Sequence, residues 1–165
     1  EGAAALDRVA VAMKPAYREA MVQPVASTWY PEAALHDAFH AVHVAVYRGD
    51  LARFKKMIEG ATNLGMQRFF RALIGITTPS FYLKNFPTVV GQLRRGPARV
   101  EVEVEPASKS AVVRFVDMPF SDDALYHAAT IAGFDIVFAV MGHPNPRIVL
   151  SAATASSYEM TLAWT

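Results

Sequence analysis

Hydrophobic side chains recur with a helical period over the N-terminal half of the chain. The clearest stripe consists of Leu35, Phe39, Val42 and Val46, which fall at i, i+4, i+7 and i+11. Weaker stripes of the same period lie before and after it. The pattern predicts a layer of helices over about residues 4–95.

Three breaks subdivide the later part of this helical region. Thr78 followed by Pro79 is typical of a helix start, because proline suits the first helical position. Phe86–Pro87 predicts the start of another short helix. Asn63, Leu64 and Gly65 predict either a break or a bend in the helix that precedes them.

The hydrophobic period changes from 3.6 to 2 after Gly96. Val100, Val102 and Val104 alternate with charged residues, which predicts a strand with one apolar and one wet face. Residues 111–116 are its expected hairpin partner.

A helix is predicted next, capped by Ser121 or Asp122 and ending near Gly133. The run from Ile136 to Met141 is apolar throughout and is typical of a central strand covered on both faces. Strands over 147–152 and 158–164 complete the sheet.

These elements predict an α+β fold in one domain spanning residues 1–165. We expect an N-terminal helical layer, about 4–95, packed on a C-terminal twisted antiparallel sheet with one crossover helix, about 98–165. Such an architecture places one apolar face of the sheet against helices.

Composition narrows the classes of partner. The chain has 165 residues, with 16 basic and 15 acidic side chains and no cysteine. A nearly neutral chain does not favour binding to nucleic acid. No apolar run reaches the roughly 18 residues that a membrane span needs. Absence of cysteine excludes disulfides and thiolate chemistry and fits a cytoplasmic location.

A histidine cluster on the second main helix is the first candidate site. His36, His40 and His43 fall at i, i+4 and i+7, so they share one helix face and could chelate a divalent metal. The alternative is three imidazoles that merely flank the apolar stripe.

An aromatic-rich segment is the second candidate site. Side chains in it could line an apolar ligand pocket between helices and sheet, fill the core, or form a dimer seam. The predicted pocket residues are Phe69, Phe70, Leu73, Phe81, Tyr82 and Phe86.

Catalytic signatures are missing from the sequence. It contains no nucleophile elbow, phosphate-cradling glycine loop or metalloprotease helix motif. We therefore predict no catalytic residues and lean against an enzyme.

A series of short signals follows the chain in a recognisable order. They are Trp29-Tyr30-Pro31, Gly49-Asp50, Gly65-Met66, Phe69-Phe70-Arg71-Ala72-Leu73, Thr78-Pro79, Phe86-Pro87, Gly96, Gly133 and Trp164. This order resembles the bacterial families related to heme-NO-binding, 4-vinyl-reductase and TRAPP-like domains. It is most similar to a family of unknown function abundant in myxobacteria, and the resemblance covers about Val25 to Trp164.

The resemblance implies a helical layer on a twisted antiparallel sheet, commonly dimeric, that holds a small or lipid-like ligand. The family's known chemistry is not present in this sequence. Heme-NO sensors carry a Tyr-x-Ser-x-Arg motif and a proximal histidine, and that motif is missing here. The acylated cysteine of TRAPP members and the cysteine pair of some vinyl-reductase-like domains are missing too.

We therefore predict a non-enzymatic sensory or scaffold domain in bacterial signalling. It would bind an apolar small molecule, a protein partner or a second copy of itself, without nucleic acid. We expect no resident cofactor and no heme. The alternative is a metal-dependent protein that uses the helical histidines.

Overall fold

The computed structural model describes residues 2–25, 28–69, 74 and 77–165. In chain order its helices and strands are α1 Gly2–Ala12, α2 Pro15–Val22, α3 Glu32–Ala45, α4 Leu51–Phe69, α5 Pro79–Leu93, β1 Arg99–Glu105, β2 Ser110–Val116, α6 Ala124–Val140, β3 Arg147–Ala153 and β4 Ser157–Ala163. The predicted order of helices first and antiparallel sheet last is confirmed. None of the helices described is long and apolar enough to cross a bilayer.

The chain divides into two compact units, residues 1–57 and 58–165. The prediction of a single domain over residues 1–165 stays a prediction. Unit 1 is helical, and its small core joins α1 to α3 through Val9, Met13, Ala38 and Ala41. Phe54 is fully buried in this unit, with its ring edge-on to Phe39.

Unit 2 contains a four-stranded antiparallel sheet in the order β1-β2-β4-β3. The strand register aligns apolar side chains in rows across the inner face of the sheet. Residues of α5 and α6 belong to the same hydrophobic core as these rows. The central row runs Val102, Val113, Met160, Leu150. Rows of this kind follow from the alternation of side chains along each strand.

The outer face of the sheet carries charges, as the alternation in β1 predicts. Arg114 pairs with Glu103 and donates from Nε to Glu159 Oε2 at 2.6 Å. Hydrogen bonds from Arg114 and then Ser151 lower the pKa of Glu159. These groups are largely exposed, which identifies this face of the sheet as the solvent-facing one. Exposed ion pairs contribute little to the stability of a fold.

The prediction of a strand over Ile136–Met141 is wrong, because these residues continue α6 as far as Val140. An apolar run buried on both sides does not distinguish a strand from a core helix. Gly133 costs a helix roughly 1 kcal/mol relative to alanine. Burial of Phe134, Val137 and Phe138 along the same helix outweighs that cost.

One predicted helix start is also corrected, because α5 runs through Pro87 as one helix instead of restarting there. α4 continues past Gly65 to Phe69, so a break at that point is wrong, whereas a bend stays a prediction. The predicted start at Thr78 is confirmed, because its side chain accepts a hydrogen bond from the Phe81 amide at 3.3 Å. Core contacts of α5, including fully buried Leu83, compensate for the hydrogen bond that Pro87 cannot donate.

Candidate functional site

A buried polar network fixes the start of α6. Asp123, rather than the predicted Ser121 or Asp122, caps the helix, accepting from the amides of Leu125 and Tyr126 at 2.8 and 3.1 Å. Ser121 is fully buried, and its hydroxyl donates to the Met118 carbonyl oxygen at 2.7 Å. The loop before α6 is therefore held by hydrogen bonds on both sides of Ser121.

His127 lies one turn into α6 and completes this network. It is 8% exposed, and its Nε2 donates to the Ser121 carbonyl oxygen at 2.7 Å. Because a carbonyl oxygen only accepts, Nε2 carries a proton. The bond anchors this ring nitrogen, and Nδ1 is the ring nitrogen through which His127 could bind a metal.

The ring of His127 borders a set of aromatic side chains inside unit 2. Its centroid lies 5.0 Å from that of Tyr158 on β4. Tyr158 stacks on Phe115 of the adjacent β2, with centroids 4.3 Å apart and planes 11° apart. The Tyr158 hydroxyl is 3.1 Å from the hydroxyl of Thr130 on α6.

Phe86 on α5 connects these sheet residues to the helices. Its ring centroid lies 6.2 Å from Phe115, 5.1 Å from Phe134 on α6 and 5.7 Å from Tyr82 on α5. We call these five rings, of Tyr82, Phe86, Phe115, Phe134 and Tyr158, the aromatic cluster. Tyr82 and Phe86 are only half-buried, so the cluster presents ring surface at the α5 side.

Tyr82 gives a test of this packing. Desolvation raises the pKa of its phenol above the ordinary value of 10.0. The folded state therefore keeps the phenol neutral at a pH where the unfolded chain ionises it. Stability from this group is complete below pH 10 and declines as the pH rises above 10.

We expect Tyr82→Phe to remove part of this alkaline loss of stability. Thermal melting temperatures of the two proteins, measured from pH 8 to about pH 11, should show the wild type falling relative to the variant once the pH exceeds 10. Parallel curves for the two proteins would contradict a desolvated Tyr82.

The structure brings together only part of the predicted ligand pocket. Tyr82 and Phe86 contact each other in the aromatic cluster. Phe81 is 59% exposed. Phe70, Leu73 and the side chain of Phe69 lie outside the described residues. A pocket lined by all six residues stays a prediction.

The three clustered histidines lie on α3 in unit 1. The rings of His36 and His40 are neighbours, with centroids 4.5 Å apart. The ring of His43 instead packs edge-on to Phe54 at 5.7 Å. Its Nδ1 is buried and has no hydrogen-bond partner among the residues that the structure describes. A metal site formed by all three stays a prediction.

Sequence reasoning missed most of the aromatic cluster. Phe115, Phe134 and Tyr158 lie on three different elements. The apolar pattern of each element is the same whether its aromatic residue belongs to a site or only fills the core. His127 was visible as a histidine on the late helix, but only the fold shows that it is buried and bonded to Ser121. No local motif signals either feature.

The chain is similar to known proteins in fold and not in sequence. No protein-family profile matches the sequence, and no curated protein matches it significantly. Solved H-NOX structures do match the fold. The ferrous unliganded H-NOX protein of K. algicida has a TM-score of 0.70 at 12% identity, over 99% of this chain and 88% of that one.

Two further H-NOX structures match at similar levels. A variant of the T. tengcongensis H-NOX protein has a TM-score of 0.61 at 12% identity, over 97% of this chain and 88% of that one. A structure from work on the function of heme distortion in the H-NOX family has a TM-score of 0.65 at 9% identity, over 97% and 86%. At these identities the comparison establishes a shared fold.

The expectation of no cofactor and no heme is corrected by these matches. The matching structures described above are H-NOX proteins, and heme distortion and heme redox potential are the subjects of work on two matching structures. The expectation rested on a missing Tyr-x-Ser-x-Arg motif. A sequence motif reports individual side chains, whereas the fold that surrounds a cofactor is kept at identities near a tenth.

Proposed function

We propose that this chain, which has the fold of the H-NOX domains, is a non-enzymatic sensory domain that binds a small apolar ligand against its aromatic cluster. We also propose that the chain belongs to the family abundant in myxobacteria and acts in bacterial signalling. The observation that carries the proposal is the cluster itself, in which half-buried Tyr82 and Phe86 continue into buried rings on α6 and the sheet. Apolar pockets with few polar groups are the usual sites for such ligands.

Heme is the first ligand to test, because the structures that share the fold are H-NOX proteins. Histidine, cysteine, methionine and tyrosine side chains hold heme iron in proteins. The chain has no cysteine, and α5 contains no histidine. Burial raises the pKa of Tyr82 on α5, which disfavours the phenolate form that would bind iron.

An imidazole of unit 2 fits the donor chemistry better. His127 and His143 each have a ring nitrogen bonded to a backbone carbonyl, of Ser121 and Thr165 respectively. That arrangement is common for metal-binding histidines, because it fixes the tautomer and orients the other nitrogen. His127 is the buried one, and it borders the aromatic cluster, so it is our candidate for the iron ligand. When bound, heme would supply an iron centre able to take a diatomic gas.

A hemin titration of the purified chain tests this assignment. We expect saturable binding with a shifted Soret band in the wild type. Changing His127→Ala should weaken hemin binding about tenfold or more, as loss of a metal ligand or its support does. His143→Ala is the matched control, since that histidine is also bonded to a carbonyl but lies away from the cluster, and it should bind like the wild type.

Two results would count against the proposal at different levels. Equal hemin binding by both variants would remove His127 as the ligand while leaving the aromatic cluster. Absence of hemin binding by the wild type would remove heme. Native mass spectrometry of the chain purified from cells then decides the wider proposal, because a chain that carries no small molecule and binds no hemin is not a ligand sensor of this kind.

A protein partner or a second copy is the other expected means of action. Met and aromatic residues are enriched at such interfaces. The same native mass spectra report the oligomeric state. A dimer without a bound small molecule would favour this scaffold alternative over the sensor.

A further inference from the structure

The basic residues of this nearly neutral chain are unevenly distributed. Between Glu59 and Glu101 the sequence has six basic side chains and no acidic one, so all fifteen acidic residues lie outside this stretch. Two of these residues, Lys84 and Arg95, are exposed on or just beyond α5. Arg94 donates to Met118 Sδ at 2.8 Å, and Arg99 is paired with Glu101 and Asp117. Helix α5 lies in the middle of the stretch.

The surface of α5 is apolar where a helix normally carries polar residues. Phe81, Val89 and Leu93 are 59%, 40% and 71% exposed. They share one row of residues spaced four apart, which we call the apolar row, and it extends about 18 Å along the helix. The fourth member of the row is Asn85, whose side-chain amide donates to the Phe81 carbonyl oxygen at 2.8 Å. That bond directs the amide of Asn85 toward the helix backbone.

Cationic side chains flank the apolar row. Lys84 is exposed one turn from Phe81, and Arg95 is exposed just beyond Leu93. The opposite face of α5 is occupied, since Leu83 is fully buried in the unit 2 core. The helix is therefore fixed to the domain by one face and presents bulky apolar and basic side chains on another.

We propose that the apolar row and its flanking cations dock unit 2 onto an anionic phospholipid surface. Phe81, Val89 and Leu93 would enter the boundary between headgroups and acyl chains, and Lys84 and Arg95 would contact the lipid phosphates. Val89 and Leu93 are aliphatic and cannot stack on bases, and a single aromatic ring, that of Phe81, is not the series of stacking platforms that single-stranded nucleic acid needs. Like charge on the two surfaces disfavours a second copy docking by the same row.

Vesicle co-flotation tests the proposal with the intact chain. We expect binding to vesicles of 70% phosphatidylcholine and 30% phosphatidylglycerol at low salt, and little binding to pure phosphatidylcholine. Each cation contributes about a fivefold change in partitioning, so a Lys84→Glu, Arg95→Glu variant should lose most of the binding. High salt should weaken binding of the wild type as well, because it screens surface charge.

The apolar contribution needs its own variant and a matched control. Phe81→Ser with Leu93→Ser should lower partitioning about tenfold or more, through lost apolar burial. Val11→Ser is the control, because Val11 is 74% exposed on α1, and it should bind like the wild type. Far-UV circular dichroism of each variant confirms that these exposed changes leave the fold intact.

The proposal would be overturned if the wild type did not bind the anionic vesicles or bound both lipid compositions equally. It would also be overturned if the Val11→Ser control lost as much binding as the Phe81→Ser, Leu93→Ser variant. Unchanged binding of the Phe81→Ser, Leu93→Ser variant would do the same, since it would leave only non-specific attraction of charge. None of these outcomes bears on hemin binding, which is measured without lipid.

Discussion

Phe138→Ala is expected to lower the free energy of unfolding by about 4 kcal/mol. Phe138 is fully buried on α6, and its ring lies edge-on to Phe134 at 6.4 Å and to Trp164 at 5.8 Å. Truncation removes the transfer energy of the ring and leaves a cavity that neighbouring aromatic side chains cannot fill. Urea unfolding followed by circular dichroism would measure the loss.

The control for this prediction is the same change at an exposed phenylalanine. Phe81→Ala should alter the free energy of unfolding by about 0.5 kcal/mol or less, because Phe81 is 59% exposed. Similar effects at the two positions would mean that α6 does not bury Phe138 as described. The test also bears on the structure of residues 136–141, which the sequence predicted as a strand and which belong to α6 as far as Val140. In a strand, successive side chains would point to opposite faces.

His127→Ala is expected to cost about 2 kcal/mol of stability, apart from any effect on ligand binding. The change leaves the Ser121 carbonyl oxygen without its 2.7 Å hydrogen bond and removes a ring beside Tyr158. A buried acceptor left unpaired costs more than the hydrogen bond itself contributes. Urea unfolding would again measure it, and the hemin titration must be run well below the variant's transition.

The conservative change His127→Gln separates the structural role from the donor role. A glutamine amide can still donate to the Ser121 carbonyl, so part of the stability should return. An amide nitrogen does not bind iron, so hemin affinity should stay low. Recovery of both stability and hemin binding in this variant would show that His127 acts only as a structural residue.

Much of the sheet was predictable because its signal is local. Val100, Val102 and Val104 alternate with charged residues, and alternation within one strand reveals which face is buried before any partner strand is known. The helix start at Thr78 was predictable for a similar reason, since a cap and a following proline act within one turn.

The candidate site was much less predictable. Tyr82 and Phe86 were expected to line a pocket, and they do contact each other. Their neighbours Phe115, Phe134 and Tyr158 come from three elements far apart in sequence, and an aromatic residue on an apolar face has the same local pattern whatever it meets. The three histidines on α3 share a predicted face, and the structure adds that the rings of His36 and His40 are neighbours and that the ring of His43 packs edge-on to Phe54.

The sequence by itself determined that helices give way to strands after Gly96, which face of β1 is apolar, and that thiol chemistry is impossible, because periodicity and composition are properties of single segments. Only the tertiary structure decided that residues 136–140 are helical, that His127 is anchored to Ser121, and that five rings meet in one cluster. Those outcomes depend on burial and on contacts between segments that are distant in sequence. The free energies of these contacts outweigh local conformational propensity, and no single segment of the sequence predicts them.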